Sequence, residues 1–165
     1  MNTSLIIVCL IMVCVIFLPF FLFNRSGKAK QNKAIIKGVI SKNNLKISQE
    51  ETWGNSYIGL DDNQKKLMFL KFLDTDVIEL LFDINTIKEC AINEQRKFYK
   101  VKDKKESLLE KLDFKVSLKS GETIALNFFD TNLNYKEDFE LKRIEKWKFL
   151  ITQLITAKNS DKKVA

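Results

Sequence analysis

Arg96, Lys97, Lys100, Lys102, Lys104 and Lys105 crowd around Phe98 and Tyr99. Basic side chains interleaved with aromatics bind polyanions: cations meet phosphates, and rings stack on bases. An anionic lipid surface would use the same charges. Glu94, Asp103 and Glu106 lie among these residues, so the plainer reading is a solvated strand and loop. Other chemistry is scarce. Asp61 with Asp62, and Asp74 with Asp76, come closest to a carboxylate pair or a calcium loop. Neither has the D-x-D-x-D-G spacing with its distant Glu, and turn formation accounts for both. Histidine is absent, which removes the commonest general base and metal ligand. The five glycines, at 27, 38, 54, 59 and 121, form no phosphate-cradling loop. Cys9, Cys14 and Cys90 offer no pair at metal spacing. No catalytic, cofactor-binding or metal-ligating residue is assigned, no cofactor is expected, and the chain reads as a non-enzyme.

The longest apolar stretch lies elsewhere. Leu5 to Phe23 is uncharged throughout. As a helix it would be about 28 Å long, close to the ~30 Å hydrocarbon core of a bilayer. A single transmembrane helix over 5–23 is expected, with Pro19 bending its last turns. A cleaved secretory signal fits less well, because the leading residues are neutral and Asn24-Arg25-Ser26 offers no small-residue cleavage site.

The flanks differ in charge. Met1 to Ser4 carries no charged side chain, whereas Arg25, Lys28, Lys30, Lys33, Lys37, Lys42 and Lys46 precede the first acid, Glu50. The asymmetry predicts a single-pass inner-membrane protein with residues 1–4 outside and the C-terminal part cytoplasmic. Arg25, Lys28, Lys30, Lys33 and Lys37 are the candidate membrane-surface residues, attracted to anionic headgroups. From Glu50 onward there are 21 basic and 21 acidic residues. The domain is therefore neutral, and nucleic acid is not the expected partner.

Residues 24–46 read as a basic juxtamembrane linker. Ile35, Ile36, Val39 and Ile40 give it helical spacing, weakened by Gly38. One domain follows over 47–157. Ser56-Tyr57-Ile58-Gly59-Leu60 and Lys66 to Phe72 form a hairpin around a polar turn, and Trp53-Gly54-Asn55 reads as a turn with a partly buried indole. Val77–Phe82 and Ile87–Ile92 are short apolar stretches on either side of a bend, and Lys97 to Val101 is a further candidate strand. Residues 103–110 fit a loop or a helical turn.

Leu112, Phe114, Val116 and Leu118 alternate with polar residues, and so do Ile124, Leu126 and Phe128 beyond a turn at 119–122. From Glu137 to about Ala157, Leu141, Ile144, Trp147, Ile151 and Leu154 recur at steps of three and four, the mark of an amphipathic helix. Residues 158–165 read as a frayed tail.

This order of short antiparallel strands and one closing helix resembles a pleckstrin-homology-like domain. The residues carrying the resemblance are YIGLDDNQKKLMFLKF (57–72), VIELLFDINTIKECAI (77–92), LDFKVSLKSGETIALNFF (112–129) and the helix containing Trp147. The first two segments look similar to bacterial membrane-anchored proteins of unknown function with such domains. The resemblance implies an α+β fold: a transmembrane helix, then an antiparallel β-barrel of about seven strands plugged by the final helix. The first hairpin turn holds Asp61 and Asp62 where lipid-binding members carry basic residues, so no headgroup site is carried over.

The expected function is a membrane-anchored, non-catalytic interaction module serving a protein or lipid partner, with strand addition at a sheet edge as one mode. A structural subunit of a membrane assembly, or an anchored extracytoplasmic enzyme using carboxylates, are the alternatives. The first would leave an apolar stripe exposed on the last helix; the second needs converging acids in a pocket.

Overall fold

The structure is a computed structural model that describes residues 12–13, 27–101, 104–133 and 138–161. The chain divides into two compact units, Met1–Asn44 and Leu45–Ala165. In the first, residues 27–42 form a helix, α1. Asn43 ends it: its backbone N–H and side-chain amide both donate to the Val39 carbonyl, at 3.1 and 3.0 Å, and Asn44 turns to a positive φ of 51°.

Among its described residues the second unit holds seven strands, a 3-10 turn and a helix. These are β1 (Gln49–Trp53), β2 (Ser56–Asp61), β3 (Lys66–Phe72), β4 (Val77–Asp83), the turn Ile84–Thr86, β5 (Ile87–Val101), β6 (Lys104–Leu118), β7 (Thr123–Asp130) and α2 (Glu140–Asp161). All strand pairs are antiparallel, in one four-stranded sheet ordered β1-β2-β3-β4 and one three-stranded sheet ordered β5-β6-β7.

The expected closed barrel is corrected here. Among the described residues no ladder joins the two sheets. Side chains do so instead. Trp53 Nε1 donates to the Phe128 carbonyl at 3.0 Å, and Lys71 Nζ donates to that of Asn127 at 3.3 Å. Two β7 carbonyls are thus met by side chains from the first sheet rather than by a neighbouring strand.

The single-pass architecture is corrected as well, and with it the inner-membrane localisation with a cytoplasmic domain. Among the described residues no helix is long and apolar enough to cross a membrane. α1 carries Lys28, Lys30, Lys33, Lys37 and Lys42, and α2 is studded with charge from Glu140 to Lys148. The expected span at 5–23 lies outside the described residues, apart from Met12 and Val13.

Between the sheets lies one aromatic-rich core. Trp53 and Phe128 rings sit 4.6 Å apart, with Phe69 and Phe114 each 6.0 Å from Phe128. Ring pairs at such spacings add stabilisation beyond burial alone. Leu112, Phe114, Val116, Leu126 and Phe128 supply the second sheet's share, so the alternation in this hairpin marks its buried face. α2 adds Ile144, Trp147 and Ile151, every third or fourth residue as one helix face requires. Its partner on β1 is Glu51, which accepts from Arg143 Nε at 2.8 Å, Trp147 Nε1 at 3.0 Å and Lys146 Nζ at 3.1 Å. Burial alone would raise this carboxyl's pKa, but those three donors outweigh it and hold the group below its ordinary range.

β2 and β3 are buried on both faces. Tyr57, Met68, Leu70 and Phe72 face away from the core residues Ile58 and Phe69, yet are as inaccessible as they are. Two-sided burial explains the nearly unbroken apolar run of Lys66–Phe72. It also explains Gly59. A Cβ there would lie 2.7 Å from Tyr57 Oη, and the Tyr57 hydroxyl is pinned by a 2.7 Å bond to Glu50. Gly59→Ala is expected to lower stability by about 1–3 kcal/mol, the usual cost of overpacking, read as a shift of the urea midpoint.

Two segments depart from their sequence reading. Gln49–Trp53 is a strand, and Trp53 is wholly buried with Gly54 and Asn55 forming the β1–β2 turn. Residues 104–110, expected as loop or helical turn, are the first half of β6.

Candidate functional site

β5 and β6 are each 15 residues long, but β7 pairs only with Lys111–Ser117 of β6. Register shifts interrupt the β5–β6 ladder at Gln95/Arg96. Beyond them six paired positions, from Arg96↔Leu109 to Val101↔Lys104, form a two-stranded ribbon that no third strand joins among the described residues. At about 3.4 Å per residue, this ribbon is roughly 17–20 Å long.

Residues paired across a ladder share a face, and alternate residues along a strand do too. Leu109 is buried in the core cluster. Its partner Arg96, and then Phe98 and Lys100, therefore continue the core-facing row past the end of the core. Phe98 is 73% exposed as a result. The other face carries Lys97, Tyr99 and Leu108, with Tyr99 and Leu108 41% and 51% exposed.

Arg96 and Lys97 are only lightly engaged. Arg96 Nε pairs with Glu94 and its Nη1 donates to Ser107 Oγ at 3.3 Å, and Lys97 Nζ lies 4.0 Å from Glu110. At that exposure such pairs add little stability and leave the cations accessible. Lys102 and Asp103 of the sequence cluster lie outside the described residues.

A second polar group is internal. Lys71 is 2% exposed, with Asp113 and Glu140 at 4% and 1%. Burial pushes the Lys71 ammonium down to about 8, against the opposing pull of Asp130, Glu140 and Asp113. Asn127 Nδ2 donates to Asp113 Oδ1 at 2.9 Å, and Lys111 Nζ lies 3.4 Å from the other Asp113 oxygen. Asn127 Oδ1 and Ser56 Oγ are buried without hydrogen-bond partners. No sequence signal joined these residues, since β3, β6, β7 and α2 each bring one or two of them. Lys71, Asp113 and Glu140 are buried, and the bonds from Lys71 to the Asn127 carbonyl and from Asn127 to Asp113 make the group a latch between the two sheets.

Other sequence candidates resolve into structural roles. Asp61 Oδ1 accepts from the N–H groups of Asn63 and Gln64, both at 2.9 Å, and Oδ2 from that of Lys46 at 2.6 Å. Burial would raise its pKa, but these backbone donors outweigh it and lower it. Asp61 is thus an Asx-type turn residue. Asp76 likewise caps its own turn at Val77 N, 2.7 Å away. Cys90 is half-buried, and burial pushes its thiol up to about 11, which leaves little thiolate at neutral pH. Among the described residues no group of three or more Cys, Asp or Glu side chains could hold a metal ion. Of the membrane-surface candidates, Lys28, Lys30, Lys33 and Lys37 are exposed on α1, and Arg25 lies outside the described residues.

Compared with known proteins, the chain matches no family model, no curated protein and no solved structure.

Proposed function

We propose that the chain is a non-catalytic interaction module and that the β5–β6 ribbon is its recognition element. One observation carries this reading. Six strand pairs extend past the third strand and expose Phe98 on one face of the ribbon and Tyr99 with Leu108 on the other. Two-stranded ribbons are marginal in water on their own, and exposed apolar side chains grouped on one element mark contact surfaces. The alternative of an assembly subunit loses ground. Ile144, Trp147 and Ile151 of α2 are buried, and Phe149 is the strongly exposed apolar side chain among the described residues of this helix.

Replacing Phe98, Tyr99 and Leu108 together by Ser should leave the urea midpoint nearly unchanged, since exposed substitutions typically shift stability by about 0.5 kcal/mol or less. The same variant should lose the partner that the wild-type chain retains in quantitative affinity purification. An identical partner set for both proteins would refute the ribbon's role.

A further inference from the structure

We infer that the Arg96–Phe98–Lys100 face of the ribbon binds single-stranded nucleic acid, with Phe98 stacking on a base and the two cations meeting flanking phosphates. The inference rests on the ribbon being the recognition element. Three observations choose this partner.

The first is the distribution of charge. The described ribbon residues, 96–101 and 104–106, hold five basic and one acidic side chain, whereas the chain from Glu50 onward outside 96–106 holds fifteen basic and nineteen acidic. The zero net charge of the domain is an average over a basic projection and an acidic body. Within the part of the chain from Glu50 onward, a polyanion is drawn to the projection and repelled from the body; the other basic stretch, Arg25 to Lys46, is told apart from it by the Phe98 dependence of binding.

The second is the order along one face. Arg96, Phe98 and Lys100 alternate cation, ring, cation on the same side of β5. Base stacking on an aromatic ring between backbone-tracking cations is the general means of holding single strands without sequence preference. Glu94 is the acid on this face, in an exposed pair with Arg96 that contributes little by itself, and the facing β6 residues at the near end, Leu109 and Ser107, are not acidic. Glu106 is paired with Tyr99 and so belongs to the opposite face.

The third is accessibility. Phe98 is the most exposed large apolar side chain among the described residues, and its flat ring stands clear of the core. An acidic peptide would satisfy the cations but would leave that ring without a stacking partner. A duplex hides its bases from such a ring.

The test uses the full chain in a nonionic detergent that keeps the apolar 5–23 segment dispersed. Fluorescence anisotropy would follow a labelled oligothymidylate of about 20 nucleotides, enough to cover a site of the usual size. The same titration would be run with labelled dextran sulfate, a polyanion without bases. Phe98→Ala, which keeps every charge, is expected to weaken oligothymidylate binding at least about five-fold and to leave dextran sulfate unaffected. Arg96→Gln with Lys100→Gln should reduce the steepness of log K against log salt by about 1.4, because each phosphate contact on a single strand contributes about 0.7. Lys88→Gln with Lys142→Gln, an equal charge loss away from the ribbon, should leave the salt slope unchanged.

Absence of oligothymidylate binding by the wild-type chain would overturn the inference. So would equal affinity of the wild type and Phe98→Ala, which would show polyelectrolyte attraction alone, or tighter Phe98-dependent binding of a duplex. Unchanged thermal unfolding of Phe98→Ala excludes misfolding as the cause of a loss. If oligothymidylate fails while the triple Ser variant still loses its partner, the nucleic-acid inference falls and the ribbon's role stands. If the triple variant loses nothing, the ribbon's role itself falls.

Discussion

Trp147→Ala is expected to destabilise the Leu45–Ala165 unit by about 3–5 kcal/mol, the range for truncating a buried tryptophan. That is a large share of the ~5–15 kcal/mol that holds an ordinary domain folded. Trp147 is 1% exposed and joins the core formed by both sheets. Its indole N–H also donates to Glu51, the carboxylate that ties β1 to α2 through Arg143 and Lys146. Truncation therefore opens a cavity and removes one of three donors from a partly buried anion. Trp147→Phe separates the two effects. It keeps most of the apolar volume and loses the N–H, so about 1–2 kcal/mol is expected. Urea titrations of the three proteins would show it as ordered midpoints, wild type above Phe above Ala. A loss below about 1 kcal/mol for Trp147→Ala would mean that α2 is not part of the cooperative unit.

The second large effect concerns Lys71 and has a definite sign. Its folded-state pKa is lowered to about 8 from the ordinary 10.5, chiefly by burial. Between those values the unfolded chain binds more protons than the native one. Stability must then rise with pH across that window, by up to about 1.4 kcal/mol per unit. Below pH 8 the buried ammonium is charged in both states and the gain is absent.

Cys90 works in the opposite direction. Its pKa is raised to about 11, so stability falls as pH rises from 9 toward that value. Tyr57, raised above its ordinary 10 by burial and then by Glu50, has the same sign at still higher pH. The clean measurement is a set of urea titrations from pH 7.5 to 9.5 in a Cys90→Ser background. A rise of about 1–2 kcal/mol is expected there, and Lys71→Met should abolish it. A flat profile with Lys71 in place would show that the ammonium is solvated or fully paired in the native state.

The latch and the ribbon differ in how well they could be read beforehand. The hairpin at 112–129 and the final helix were legible because each has one strongly apolar face at strand or helix period, and the hairpin at 56–72 because two apolar runs flank a polar turn. Gln49–Trp53 was not, because this edge strand buries little besides Trp53. Residues 104–110 were ambiguous because Leu109 is the one core residue among 106–110, and a single buried position makes no apolar alternation. The basic and aromatic cluster was visible as composition. Its division into one face bearing Arg96, Phe98 and Lys100 and another bearing Lys97 and Tyr99 follows from strand alternation, but which β6 residues join each face, Leu108 among them, depended on the register shift at Gln95/Arg96, where Glu110 is the extra residue. A one-residue slip moves every side chain to the other face, and no local pattern announces it.

The sequence by itself determined the periodic elements, the lack of histidine and of a paired-cysteine site, and a basic cluster inside a domain of zero net charge. Each of these is a property of composition or of neighbours a few residues apart. The tertiary structure decided the rest. It kept the two sheets separate, with Trp53 and Lys71 reaching β7 carbonyls by their side chains. It carried β5 and β6 beyond the core, and it gathered Lys71, Asp113, Asn127 and Glu140 from four distant elements. Such outcomes turn on which strand ends meet and which polar groups are desolvated together. Those are energies of long-range contact, to which local spacing is blind.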